Sequence, residues 1–275
     1  MRLSEENEPV NAMYYGDGGT GKTTALAAMA NLGPIVYVNA EAGLKARPLK
    51  QLGIDIGNIE VWPDPGETLT FDGLEKLHQR ILSDLKSDPE AWVGVVWDSV
   101  TEIHQAVLLE VREDAVAKGE RQGKSIDPFF NDLSYYGTMT EKMRLMVRRF
   151  RDLPCHFGVS ALERRDQDDD GTVKYGPAAT PALANDLFGY VDVVLHTQTD
   201  VVAGVEEFQG ITRPHGKYRA KDRLRALPRM FIDPRFDRLV AYANGDLVAA
   251  DDPIMTEAQD RRRALREEEE EKGKK

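Results

Sequence analysis

Gly16-Asp17-Gly18-Gly19-Thr20-Gly21-Lys22-Thr23 is a complete G-x-x-x-x-G-K-[ST] loop, and its neighbours come in the order such a loop requires. Val10 to Tyr15 form a short apolar, β-prone run before it, and Thr24 to Leu32 read as a helix after it. Glycines within the loop let successive backbone N–H groups turn inward on phosphate oxygens, and a helix beginning near Lys22 adds the positive end of its dipole. The stretch Gly16, Asp17, Gly18, Gly19, Thr20, Gly21, Lys22, Thr23 and Thr24 is therefore the expected cradle for ATP. Lys22 is placed to reach the β- and γ-phosphates, and the Thr23 hydroxyl to ligate Mg²⁺. A glycine-rich turn opening a structural helix is the plainer alternative; Lys-Thr at the right offset, with correct flanks, argues against it.

At 275 residues, with 41% hydrophobic and 30% charged residues, the chain can bury one substantial core as a single large α/β domain with appendages. The expected organisation is an N-terminal tail over 1–9, one domain over 10–250, and a charged tail over 251–275 that is helical or disordered. No apolar run approaches the roughly 18 to 20 residues that span a bilayer, and the acidic start Met-Arg-Leu-Ser-Glu-Glu-Asn-Glu-Pro is unlike a signal peptide. The expectation is a cytoplasmic protein with no membrane partner. Cys155, the single cysteine, sits in an apolar run and reads as a buried strand residue; the five histidines show no zinc-type spacing. A net charge of −11 argues against a general coat of positive charge for nucleic acid but leaves room for a local one. Such a cluster exists in Arg213, Lys217, Arg219, Lys221, Arg223, Arg225 and Arg229, with Asp222 the only acid among them.

Further along, Pro34 to Asn39 and Ile59 to Trp62 read as strands, Leu69 to Leu85 as a helix, and Trp92 to Trp97 as a continuously apolar strand of the kind buried in a parallel sheet. A helix over Val100 to Ala117 is followed by a polar stretch from Lys118 to Leu133, then a helix over Met139 to Asp152 and a strand over Cys155 to Ala161. Glu163 to Pro177 reads as an excursion turning at Asp170-Gly171. Later strand signals fall at Val191 to Thr197, Glu206 to Thr212, Met230 to Ile232 and Leu239 to Tyr242. Strands alternating with helices predict a doubly wound, mostly parallel sheet.

Asp98 ends the apolar strand Val95-Val96-Trp97 and is placed to hold Mg²⁺ through a water. The competing role is that of helix N-cap, which Ser99 or Thr101 would fill equally well. Because Ser99 follows Asp98, no second acid is available there to orient an attacking water. Glu41 is the candidate base, because it follows the strand Ile35 to Asn39 and parallel strands open their C-terminal ends on one crevice.

On these residues the chain resembles the RecA-like ATPases, in which one strand ends Asp-Ala-Glu and a later one Asp-Ser; Asn39-Ala40-Glu41 and Asp98-Ser99 match those positions. With Tyr15 to Thr24, Asp98-Ser99-Val100-Thr101-Glu102 and Ala220-Lys221-Asp222-Arg223, it resembles more closely the small phage-encoded RecA-like proteins, some of them single-strand annealing recombinases. The resemblance implies a RecA-like P-loop NTPase core, a mostly parallel sheet flanked by helices, and a ring or filament homo-oligomer with ATP at subunit interfaces. It also implies single-stranded DNA as partner, with single-strand-binding or recombination proteins beside it, in the host cytoplasm if phage-encoded. Lys221 and Arg223 have the form of the pair that completes a neighbour's site, or else belong to a basic stripe running from Lys217 to Arg225 on a regular strand.

The resemblance further implies two DNA loops. The first offers Lys118, Arg121, Lys124, Phe129 and Phe130, a mix of cations and stackable rings that suits single strands. The second offers Arg164, Arg165, Lys174 and Tyr175, set against Asp166 and three consecutive acids from Asp168 to Asp170. Ser160-Ala161 stands where RecA proteins carry a phosphate-sensing glutamine. The run Asp166-x-Asp168-x-Asp170-Gly171 fits the start of a calcium loop, but Pro177 occupies its twelfth position in place of glutamate, so an acidic hairpin tip is the better reading. Two other functions compatible with the loop are a nucleotide-gated assembly or annealing module with little turnover, and a small-molecule kinase.

Overall fold

The computed structural model describes residues 8–127, 132–167, 171 and 173–272. Phe129 and Phe130, and the acids at 168–170, lie outside the described residues. The elements are β1 (Asn11–Gly16), α1 (Lys22–Ala27), β2 (Ile35–Asn39), α2 (Ala46–Gln51), β3 (Ile59–Trp62), α3 (Phe71–Ser87), β4 (Gly94–Asp98), α4 (Val100–Arg121) and α5 (Leu133–Arg151). They continue as β5 (His156–Gln167), β6 (Val173–Pro177), α6 (Pro181–Tyr190), β7 (Val193–Val202), β8 (Val205–Ile211), β9 (Lys221–Asp222), β10 (Met230–Ile232), α7 (Phe236–Asn244) and α8 (Pro253–Lys272).

The central sheet runs β10-β8-β7-β1-β5-β4-β2-β3. From β7 to β3 every neighbouring pair is parallel, and the β8 and β10 pairings are antiparallel. Successive strand side chains point to opposite faces, and both faces are covered. Met13, Tyr15, Val36, Val38, Val95 and Trp97 join the core under α3, α4, α5 and α6. Ala12, Tyr14, Ile35, Tyr37 and Val96 join a second core under α1, α7 and the start of α8. Burial on both faces is why β4, Gly-Val-Val-Trp-Asp, carries no alternation and is buried throughout. The helices are amphipathic where they must be: α3 buries Leu74, Leu77, Ile81 and Leu85, three or four residues apart, behind a Thr70 cap whose hydroxyl accepts from Gly73 N at 3.0 Å. The molecule is a mixed α/β P-loop NTPase domain, and no helix among its described residues is long and apolar enough to cross a membrane.

Several expectations are corrected. Leu239 to Tyr242, read as a strand, lies in α7, where Phe236, Leu239, Val240 and Tyr242 bury one helical face and Gly245, at φ 78°, ends the helix. The polar stretch after α4 is shorter than expected: α4 continues through Arg121, and α5 begins at Leu133 because the Asp132 carboxylate caps it, accepting from Ser134 N at 2.8 Å. The excursion from Glu163 to Pro177 has more regular structure than a loop: Glu163 to Gln167 is the outer part of β5 and pairs antiparallel with β6, Arg165 opposite Tyr175 and Asp166 opposite Lys174. The helix after the phosphate loop is α-helical only to Ala27 and ends in a 3₁₀ turn over Ala28–Asn31. The basic segment holds only the two-residue strand β9, and Arg225 has φ 57°, so no regular stripe joins Lys217 to Arg225.

Candidate nucleotide-binding site

The parallel register brings the strand ends that matter to one edge. Gly16 lies beside Leu162, and Asn39 beside Asp98. A methyl group on Gly16 would collide with the Thr197 carbonyl of β7, so glycine is required for β7 to close on the loop. Gly21 sits at φ 80°, a left-handed conformation costly for other residues, immediately before Lys22 opens α1. The loop is braced from β7 by the pair of hydroxyls on Thr20 and Thr197, 2.8 Å apart.

Lys22 is buried, and its ammonium donates to the Gly16 and Asp17 carbonyls at 2.9 and 2.7 Å. Burial lowers its pKa, while the nearby carboxylates of Glu41, Asp98, Asp17 and Glu163 oppose that shift. A cation held this way at the mouth of a glycine loop suits a triphosphate, whose oxygens supply the counter-charge that the loop carbonyls only partly provide.

Asp98 is buried and accepts from three hydroxyls: Thr23 at 2.8 Å, Tyr37 at 2.7 Å, and Ser160, which binds the other carboxylate oxygen. Three donors from α1, β2 and β5 fix the carboxylate beside the Thr23 oxygen. Glu41 follows β2, donates its backbone N–H to the Asp98 carbonyl at 3.1 Å and accepts from the Ser99 hydroxyl through its carboxylate. Ser99 also caps α4, its oxygen accepting from Glu102 N at 3.4 Å, so the N-cap role considered for Asp98 belongs to Ser99. Among the described residues no three His, Cys, Asp or Glu side chains gather into a metal site. The donors present still fit Mg²⁺, which is commonly held by one or two protein carboxylates, waters and substrate phosphates. Thr23 and Asp98 would hold it, and it would supply charge neutralisation between the phosphates.

Tyr37, Ser160, Thr197 and Glu163 were not singled out as functional from sequence. Tyr37 and Ser160 interrupt apolar stretches of β2 and β5, and Thr197 and Glu163 stand where β7 and β5 turn from apolar to polar; in each case the polar residue falls toward the strand end that opens on the crevice. Glu163 accepts from buried His196 at 2.6 Å, and the His196 ring stacks on Tyr218 with centroids 3.8 Å apart. Burial holds the His196 pKa below its ordinary value.

The remaining expected residues are dispersed. Lys118 and Arg121 lie in the last turn of α4 and Lys124 just beyond it; a helix of 22 residues spans about 33 Å, which carries them far from Ser99. Arg164 and Arg165 are on β5 and Lys174 on β6, close to the mouth of the site, with Arg164 paired to Asp166 at 2.9 Å. Lys221 donates to the Phe188 and Val191 carbonyls at the end of α6, both at 2.5 Å, and Arg223 pairs with Asp192 at 2.9 Å. Asp192 also accepts from Asn11 N at 3.1 Å, so both basic residues lie at the opposite end of β1 from the phosphate loop of their own chain.

A buried lysine at a glycine loop, with a hydroxyl and a strand-end acid beside it on a parallel α/β sheet, defines a P-loop nucleotide-binding domain. A family model described as an AAA domain matches residues 8–224, and the chain belongs to that AAA domain family. No curated protein matches the chain. Asp98→Asn keeps the size of the side chain but removes its charge. We expect it to weaken Mg²⁺-ATP binding by about 10-fold or more while ATP affinity in EDTA changes by less than about twofold, measured by isothermal titration calorimetry.

Proposed function

We propose that this protein is an ATPase of RecA-like type that binds Mg²⁺-ATP on residues 16–24, hydrolyses it and acts on single-stranded DNA in phage-type recombination or strand annealing. The observation that carries the hydrolytic part is the junction of Glu41 with Asp98-Ser99, which adjoins Thr23 at the end of the phosphate loop. Ser99 orients one oxygen of Glu41, and the other is assigned the proton of the attacking water. Water oxygen bonds to the γ-phosphorus as the bond to the β-γ bridging oxygen breaks, giving ADP and phosphate. Lys22 and the loop N–H groups stabilise charge on the phosphate oxygens as it develops.

Two features support the DNA part. The β5–β6 hairpin starts at the mouth of the site and offers Arg164, Arg165, Lys174 and Tyr175; Lys217 lies over the Tyr175 ring at 4.5 Å, a ring-and-cation pairing of the kind used on single strands. Lys118, Arg121 and Lys124 are exposed at the far end of α4, where they serve as backbone contacts for a strand that also crosses a neighbouring subunit. Homo-oligomerisation is part of the same reading. Arg223, with a side chain 55% exposed, is the residue offered to the next subunit's γ-phosphate, and Lys221, anchored on α6 carbonyls, holds the turn that presents it.

Glu41→Gln should retain Mg²⁺-ATP affinity within about threefold but lose hydrolysis by about 10²-fold or more, read by phosphate release; near-normal turnover removes Glu41 from the role of base. Mixing Arg223→Ala with Lys22→Ala subunits should restore part of the activity that each lacks alone. No restoration at any mixing ratio removes Arg223 and Lys221 from the neighbour's site.

A further inference from the structure

The strand β8 carries its side chains in an inverted order. Glu207 and Gln209 are buried, at 3% and 1% exposure, while Phe208 between them is 39% exposed. The polar half of the inversion has partners: Arg261 and Arg262 of α8 bind the Glu207 carboxylate, and Gln198 donates to Gln209 at 3.0 Å. The exposed phenylalanine is the informative half, since a large apolar ring left in water contributes little to folding.

Its position suggests what covers it. A methyl group on Gly21 would stand 2.8 Å from Phe208 Cδ1, whereas nothing lies within 4 Å of the same position on Gly18 or Gly19. The ring therefore flanks the phosphate loop at the point where α1 begins. In the β7–β8 hairpin Thr199 pairs with Phe208 and Val201 with Glu206, which puts Val201 on the same sheet face as Phe208, one diagonal step away. Val201 is 67% exposed. The two form an apolar shelf rising from the loop.

Sheet order fixes which end of a nucleotide meets that shelf. The metal-binding and water-activating groups, Asp98 and Glu41, follow β4 and β2, on one side of β1; β7 and β8 lie on the other. A triphosphate whose γ end faces Asp98 and Glu41 leaves its α end toward β8, and the base hangs from the α-phosphate through a single ribose.

We propose that Phe208 is the platform on which the heteroaromatic base of the bound nucleotide stacks, with Val201 flanking it. This rests on the reading that residues 16–24 hold the phosphates. Stacking on a ring face accepts any nucleobase, because every base has a π-face.

The test compares Mg²⁺-ATP with Mg²⁺-tripolyphosphate, which has phosphates but no base, by calorimetry on the full chain. Phe208→Ala and Phe208→Leu should each weaken ATP binding about tenfold and leave tripolyphosphate binding within about twofold, while Phe208→Tyr keeps both. Leucine still covers Gly21 without offering a π-face, so it separates stacking from support of the loop. Equal losses for both ligands, or no loss for ATP, overturn the platform. ATP affinity unchanged alongside lost self-association overturns it in favour of a second copy as the occupant. Failure of the wild-type chain to bind tripolyphosphate instead defeats the phosphate-loop reading beneath it.

Discussion

The contact on which the rest of the site depends is the Asp98 carboxylate receiving three hydroxyls at the edge of the sheet. Thr23 comes from the helix after the phosphate loop, Tyr37 from β2 and Ser160 from β5. A buried carboxylate without partners is costly, so these three elements can meet only if the strand register is correct. The same bonds that make Asp98 tolerable hold the Thr23 oxygen beside it. The bonds that hold the fold together here are also the ones that place the two oxygens a Mg²⁺ ion would need.

The two ends of the sheet have different work. At the C-terminal edge lie the loop, Asp98, Glu41 and the start of the β5–β6 hairpin, which carries basic residues away from the mouth of the nucleotide site. At the other end Arg223 and Lys221 are tied to Asp192 and to the carbonyls ending α6. One chain cannot bring its own Arg223 to its own phosphate loop across the length of β1. For these residues to touch a nucleotide a second subunit would be required, whereas Lys22, Thr23, Asp98 and Glu41 lie at one sheet edge of a single chain.

What the sequence made legible was local. The loop at residues 16–23, the apolar strand ending in Asp98 and the Glu41 position could be read because each depends on a short segment and on the rule that parallel strands open on one edge. The hydroxyls of Tyr37 and Ser160 were not legible as ligands of Asp98, because their meeting depends on register between strands distant in the chain. The Leu239 to Tyr242 run was misread because a short apolar segment has no periodicity that separates strand from buried helix; its helical face appears only with Phe236 included. The start of α5 was missed because Leu133 to Thr138 is rich in aromatic and small residues of weak helical propensity, and the packing of Tyr135 and Tyr136 on the core overrides that preference. The place of Phe208 within the strand Glu206 to Thr212 carries no signal of its own in sequence; only the burial of Glu207 and Gln209 on either side shows that its ring faces outward.

The central claim is that this edge is a hydrolytic site whose turnover is coupled to a single strand. The direct measurement is phosphate release by the wild-type chain with Mg²⁺-ATP, with and without single-stranded DNA, across a salt series. The account predicts Mg²⁺-dependent release that rises with DNA and loses that stimulation steeply as salt increases, because phosphate contacts release counterions. Release that is absent under all conditions, or that neither DNA nor salt alters, contradicts it.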